Sequence, residues 1–427
     1  MSRLISGLHS PPPTCSSSAR VVVRAALASF IAWYWHVPPC APIVHPQWLG
    51  QAGFQGGAIV KRRYKIVLAG VGLLVAAMST IALTLSHDSP CASAPTLSGN
   101  TDKMKAIVYR CYGPPEVLKL EEIAKPAPAD GRVLVKVRAA SVNPLDWHYM
   151  RGEPYFMRSM SGVGAPNSIH MGVDFAGTVE SVGKNVTRFK AGDEVFGGRD
   201  GAFGEYVSVA ESGALALKPA NLTFEQAAAV PIAAVTALQA LRDKGKLRAG
   251  QSVLINGASG GVGTFAVQIA KAYGAKVTGV CSTRNLAMVR AIGADHVIDY
   301  TKEDFTQGPQ RYDLIIDTVA THSLLEYRRA LNPDGAVVMV GGLDKGPWLG
   351  PMWSSLKASV EAPFVHQHFD MLMADLDQRD LGLLRDLLAS GKVVPVIDRT
   401  YTLGEVPAAM AYLEQGHARG KIVIEVQ

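Results

Sequence analysis

From residue 104 onward the chain alternates apolar and polar positions in short runs. "MKAIVYR" (104–110) and "GRVLVKVRAASVN" (131–143) carry the two-residue period of strands with one buried face. "GVDFAGTVESVG" (172–183), "AGDEVFGG" (191–198) and "GEYVSVA" (204–210) follow at short intervals, punctuated by Gly and Pro. Past Asn221 the period lengthens. "TFEQAAAVPIAAVTALQALRDKG" (223–245) predicts helices broken at Pro231, and beyond it strand patterns alternate with helical ones, as parallel βαβ units require.

Ahead of that body lies "IVLAGVGLLVAAMSTIALTL" (66–85), 20 residues without a charge. At about 1.5 Å per residue the run reaches roughly 30 Å, the hydrocarbon thickness of a bilayer. "KRRYK" precedes it, and the segment after it, "SHDSPCASAPTLSGN", lacks Lys and Arg. By the loop-charge rule the basic side stays in the cytoplasm and the rest is exported. A single-pass N-terminal anchor, as in a bacterial inner membrane, is therefore expected, with the lipid bilayer as partner. A cleaved signal is the alternative, because "ASA" (92–94) resembles a cleavage site. Residues 1–60 are rich in Ser, Pro and Trp and carry no domain pattern. They read as an organelle transit sequence or, preferably, as an extension upstream of a start near Val60.

Charge changes the picture of partners. The chain has 427 residues and a formal net charge of +6, but no Asp or Glu precedes Asp88. Seven of the 42 basic residues fall in that stretch, leaving 35 against all 36 acidic ones. The body is neutral and has no basic stripe, so nucleic acid is dropped as a partner. Five cysteines (Cys15, Cys40, Cys91, Cys111, Cys281) show neither a disulfide framework nor zinc-ribbon spacing. Cys111 and Cys281 are expected to serve packing.

The chemistry gathers at "VLINGASGGVG" (253–263). A buried strand ends in Gly257, Gly260, Gly261 and Gly263, and "TFAVQIAKAYGA" continues as a helix. Backbone without Cβ atoms approaches a pyrophosphate closely, and the helix N-terminus directs free N–H groups at it. A second strand, "KVTGVCS" (276–282), follows at the distance a mononucleotide-binding unit needs. An enzyme that prefers NAD places an acid at the end of that strand, on the ribose 2′-hydroxyl. No Asp or Glu occurs from Gly257 to Ala294, and the strand ends in "CSTRN" with two hydroxyls and Arg284. NADP, as NADPH, is expected over NAD.

The stretches above, together with "VLVKVRAASVNPLDWHYMRG", "AAAVPIAAVTALQAL" and "GHARGKIVIEV", resemble the medium-chain dehydrogenase/reductase superfamily in its quinone-oxidoreductase branch, from about residue 104 to 427. The resemblance implies an α/β chain. A GroES-like, partly open β-barrel catalytic domain would be joined to a Rossmann doubly wound parallel sheet, here behind an N-terminal transmembrane helix. The expected organisation is an unstructured extension (1–60), basic flank and transmembrane helix (61–86), linker (87–103), barrel (104–228), NADP-binding domain (229–370) and return to the barrel (371–427). It also implies a homodimer.

By the same resemblance Ser259, Gly260, Gly261, Val262 and Gly263 hold the pyrophosphate, Ser282 and Arg284 the 2′-phosphate, and Tyr300 the adenosine side. Thr236, Gly341 and Gly342 border the nicotinamide, and His417, Ala418 and Arg419 form a cofactor-contacting loop. Asn143, Asp146 and Tyr149 face the substrate; their competing readings are a turn for "VNP", a helix cap for Asp146 and core for Tyr149. His148 and His170 read as packing or surface residues.

Zinc-dependent members of the superfamily hold their metal with a Cys and a His-Glu pair. Here Asn143 stands in the first place and Val173 and Asp174 in the second, so no zinc is expected. Without a metal a simple alcohol is hard to oxidise, whereas a quinone or α,β-unsaturated carbonyl needs only donors for its developing oxyanion. The expected activity is NADPH-dependent hydride transfer to such an acceptor. An NADP-linked alcohol or aldehyde dehydrogenase and a non-catalytic NADPH sensor are the alternatives. One tension stands: the charge rule exports the body, yet NADPH is a cytosolic cofactor.

Overall fold

A computed structural model describes residues 56–94, 102–341, 346–348 and 367–426. The chain divides into two units at Gly72 and Leu73. The helix Gly56–Leu85 runs through that boundary. Its stretch Leu68–Leu85 has mean hydropathy 2.1 and is long and apolar enough to cross a membrane. The apolar side chains are exposed, Leu73 at 74% and Leu83 at 73%. Thr80 and Thr84 turn their hydroxyls back onto the carbonyls of Ala76 and Thr80. These polar groups are thus satisfied within the helix, as an apolar medium would require.

The remainder builds two main sheets. β1 (Lys103–Val108) and β2 (Lys119–Ala124) form an antiparallel pair. β3 (Arg132–Val142), β4 (Asp174–Val182), β5 (Glu194–Gly198) and β6 (Tyr206–Ala210) fall in the stretches that the two-residue alternation predicts, and β7 (Leu215–Leu217) is a short strand that it did not. With β14 (Ile397–Thr402) and β15 (Lys421–Glu425) they make a seven-stranded sheet, ordered β14-β15-β3-β4-β5-β7 with β6 on β3. Its inner face closes on Val133, Val135, Val137, Phe175, Val195 and Ile424, all 0% exposed. β-branched and aromatic side chains suit such a pleated, buried surface.

The second sheet is parallel throughout. β8 (Ser252–Asn256), β9 (Lys276–Cys281), β10 (His296–Asp299), β11 (Tyr312–Asp317), β12 (Leu331–Met339) and β13 (His368–Met371) lie in the order β10-β9-β8-β11-β12-β13. Counted from β8 this is 3-2-1-4-5-6, the doubly wound order, which opens a crevice where β8 meets β11. The helix Gly261–Ala272 begins at Gly261, three residues before the helical pattern read from Thr264.

The barrel sheet resumes at β14, which pairs with β15, after the helix Gln378–Ala389 has buried Leu381, Leu384 and Leu388 in a core that also takes in Ala176 and Phe196. One expectation needs correction. Cys111 is not a packing thiol: it is disulfide-bonded to Cys91, while Cys281 is free and buried. A spacing of 20 residues between two lone cysteines left no framework to read.

Candidate active site

The glycine turn lies at the crevice. Gly257 has φ +82°, and a Cβ there would come 2.2 Å from Thr318 Oγ1. At Gly263 a Cβ would come 2.1 Å from the Gly257 carbonyl oxygen, so only hydrogen fits. The helix Gly261–Ala272 has Gly260 as its N-cap and no side-chain cap. Its first-turn N–H groups therefore remain for an anion, as the turn's spacing implies. Val262 is half-buried against the core behind the turn.

Ser259 and Ser282 meet through a residue that the sequence pattern did not single out. Asn285 Nδ2 donates to Ser259 Oγ (3.0 Å) and to Ser282 Oγ (3.3 Å). Asn285 is 4% exposed, and its Oδ1 has no partner among the described residues. An orphaned buried acceptor beside two hydroxyls suits a sugar hydroxyl donor. Arg284 is exposed and donates Nη2 to the His417 carbonyl (2.8 Å), which ties the loop His417, Ala418 and Arg419 to the end of β9. Tyr300 is exposed beside the same edge.

Thr283 is not free for a phosphate. Its hydroxyl donates to Asp299, at the end of β10, and Asp299 is held down to about 2, chiefly by that bond. The run without acid from 257 to 294 hid this carboxylate, which parallel pairing of β9 and β10 brings alongside Cys281. The donors left for a 2′-phosphate are Ser282 and Arg284.

The second half of the site converges from three distant segments. β3 ends at Val142, and Asn143 starts the helix Pro144–Arg151, its own N–H donating to Asp146 Oδ2 (2.8 Å). Asp174, opposite Ser141 in the register of β3 and β4, accepts from Ser141 Oγ (3.1 Å), Asn143 Nδ2 (2.9 Å) and the Ile232 N–H (3.0 Å). Lys421 enters from β15, where Ile422 pairs with Val142. Its Nζ donates to Asn143 Oδ1 (2.5 Å) and Val142 O (3.2 Å), and lies 3.5 Å from Asp174 Oδ2. Asn143, Asp174 and Lys421 are 1%, 0% and 3% exposed. Burial pushes the Asp174 carboxyl up and the Lys421 ammonium down, and each opposes the other's shift. Lys421 was not among the expected site residues. A lone Lys in a β-patterned run carries no local signal.

This network changes the part Asn143 plays. Its amide donates to Asp174 and accepts from Lys421, so it is tied into the cluster. Asp146 is both cap and site neighbour: its Oδ1 is buried without a partner among the described residues, and burial pushes its carboxyl up to about 8. Tyr149, one helical turn on, is half-buried and feels Asp146 and Asp200, and burial raises its phenol. No hydrogen-bond partner of its hydroxyl stands among the described residues. Thr236 donates to Ile232 O (2.6 Å), one turn beyond the N–H that meets Asp174. Gly341, with φ +78°, follows β12 and is open; Gly342 lies outside the described residues. His148 packs on Trp147 and bonds the Glu153 carbonyl (2.7 Å), and burial lowers both His148 and His170.

One short segment joins the halves. The Gly420 N–H donates to Ser259 O (2.9 Å), and a Cβ at Gly261 would come 3.2 Å from Lys421 Cδ. The donor set beside it does not fit zinc. Neither thiolate nor imidazole joins Asn143 and Asp174, and an ammonium occupies the point on which they converge.

A barrel and a doubly wound sheet meeting at such a cleft define a nicotinamide-dependent oxidoreductase. Residues 129–219 match the family described as "Alcohol dehydrogenase GroES-like domain", and 292–424 that described as "Zinc-binding dehydrogenase". The chain is 34% identical over 363 residues to 2-methylene-furan-3-one reductase of Solanum lycopersicum, covering 81% of this chain and 86% of that one. It is 35% identical over 384 residues to the chloroplastic NADPH-dependent alkenal/one oxidoreductase of Arabidopsis thaliana, covering 84% and 90%. The structure of the quinone oxidoreductase from Coxiella burnetii superposes with a TM-score of 0.67 at 32% identity, over 76% of this chain and all of that one. The chain belongs to the medium-chain dehydrogenase/reductase superfamily, in its quinone-oxidoreductase-like branch.

Proposed function

We propose that this protein is a membrane-anchored, zinc-independent reductase that uses NADPH to reduce quinones or α,β-unsaturated carbonyls. The observation that carries this reading is the Lys421 ammonium between Asn143 and Asp174. A second cation beside it would be repelled, so the acceptor must bring its own activation, as conjugation does. The resemblance to enone and quinone reductases points to the same acceptors.

Ser259, Gly260, Gly261 and the first turn of the following helix would hold the pyrophosphate, Ser282 and Arg284 the 2′-phosphate, and Asn285 Oδ1 a sugar hydroxyl. The bound dinucleotide supplies the hydride. As the acceptor takes it up, negative charge gathers on its carbonyl oxygen. Tyr149 is the accessible O–H donor to that oxygen, and Asp146, protonated at neutral pH, adds no opposing charge. Asn143, Asp174 and Lys421 fix the end of β3 from which this helix springs. The apolar helix anchors the chain, and the Cys91–Cys111 bond suits an oxidising side of the membrane, which agrees with the charge rule.

The test is oxidation of NADPH by the full chain against quinones, enones and aldehydes, with and without a chelator. Chelator-insensitive turnover on a quinone or enone is expected. Arg284→Ala should raise the KM for NADPH about 10-fold and leave NADH unchanged, the value of one charge-assisted contact. Tight NADPH binding without turnover on any acceptor, or one zinc per chain, overturns the proposal.

A further inference from the structure

The chain leaving the apolar helix is fastened to the barrel by a buried arginine, a backbone hydrogen bond and a disulfide. Arg158 is 2% exposed. Its Nη1 donates to the carbonyls of Leu85 (3.0 Å) and His87 (3.2 Å) and pairs with Asp88 (2.9 Å), while Nε donates to Gly152 O (2.7 Å). Its guanidinium lies over the rings of Tyr112 and Tyr155, at 4.6 and 4.5 Å. Leu85 O is among the C-terminal carbonyls that a helix cannot satisfy internally, and a cation there complements the dipole. The Ser89 N–H donates to Gly164 O (2.8 Å), and Cys91 is bonded to Cys111. Residues 158 and 164 thus both grip the helix exit.

The outer side of the same segment is apolar. Phe156 and Met160, on the two short helical turns either side of the buried Arg158, are 39% and 84% exposed. Val163 is 52% exposed. Trp348, 45% exposed, stands edge-on to Tyr155 at 5.0 Å, and the Tyr155 N–H donates to Pro347 O (2.6 Å). A cluster of Trp, Tyr, Phe, Met and Val open to solvent fits a membrane–water boundary, where aromatic rings with one polar end collect. Continuity decides the occupant. A bilayer that held the exposed apolar run Leu68–Leu85 would end where this cluster begins.

We propose that residues 155–163 and Trp348 form a second, interfacial membrane contact that seats the catalytic body on the bilayer beside the helix exit. The proposal rests on the anchored reading of the chain. The helix Pro144–Arg151, which carries Tyr149, leads through Gly152 into this rim, so the proposed contact would hold the site close to the bilayer that stores a hydrophobic acceptor.

The test uses the full chain in vesicles of phosphatidylcholine and phosphatidylglycerol. An environment-sensitive fluorophore is placed at Met160→Cys in a background with Cys15→Ser and Cys40→Ser. Quenching by brominated lipid, with protection from aqueous iodide, is expected. A Phe156→Ser/Met160→Ser/Val163→Ser variant should raise the KM for a bilayer-soluble quinone about 10-fold, the loss of part of three apolar contacts, and leave a water-soluble acceptor unchanged. Iodide quenching and an unchanged KM in a chain that stays with the vesicles after alkaline carbonate overturn the rim and leave the anchor standing. Release by carbonate overturns both.

Discussion

The two halves of the cleft are built on opposite plans. On the nucleotide side, eleven consecutive residues supply strand, turn and helix start, and the geometry comes from missing side chains: Gly257 and Gly263 tolerate no Cβ. On the acceptor side Asn143, Asp174 and Lys421 come from strands 31 and 278 residues apart, and the geometry comes from charge and hydrogen bonds. A local motif binds through backbone that any member of the fold can offer. On the proposed function the long-range cluster decides what chemistry follows, because an ammonium and not a metal would stand behind the acceptor.

If that contrast is right, the largest effect belongs to Lys421→Met. It leaves Asp174 buried without its cation, which should cost about 3–5 kcal/mol in urea unfolding. Adding Asp174→Asn should recover at least half of the loss. A single variant as stable as the parent would mean that the ion pair holds nothing together. Gly263→Ala comes next. Forcing a methyl to 2.1 Å from a carbonyl oxygen should cost about 1–3 kcal/mol and abolish NADPH binding by titration calorimetry, while the acceptor-side network persists.

A third effect is one of slope, small over any single pH unit. The Asp146 carboxyl is pushed up to about 8 in the fold and returns to an ordinary value near 3.8 on unfolding. The folded state therefore holds an extra proton between those values. Its contribution is complete below about pH 4 and is lost as pH rises through 8, at no more than about 1.4 kcal/mol per pH unit. Asp146→Asn should flatten that arm of a stability-against-pH curve. An unaltered arm would place the titration elsewhere.

The same contrast explains what was legible. Strand alternation, the Pro231 break and the glycine turn are short-range signals, and the structure places elements where they predict. Ser259, Ser282 and Arg284 flank that turn and the next strand, and the structure ties them to Asn285 and to the His417 carbonyl. Lys421, Asn285 and Asp299 were not, since a buried Lys, a buried Asn and an acid on a neighbouring strand acquire meaning only through pairing of β15 with β3 and of β10 with β9. Asn143 was found by resemblance, but its amide faces inward because Asp174 and Lys421 claim it.

The bond from the Gly420 N–H to Ser259 O ties the glycine turn after β8 to β15, the strand that carries Lys421. If the dinucleotide changes acceptor affinity through this tie, the acceptor changes dinucleotide affinity by the same factor. A factor measured in one direction must equal the factor measured in the other, and a side chain forced in at Gly420 should bring both toward one.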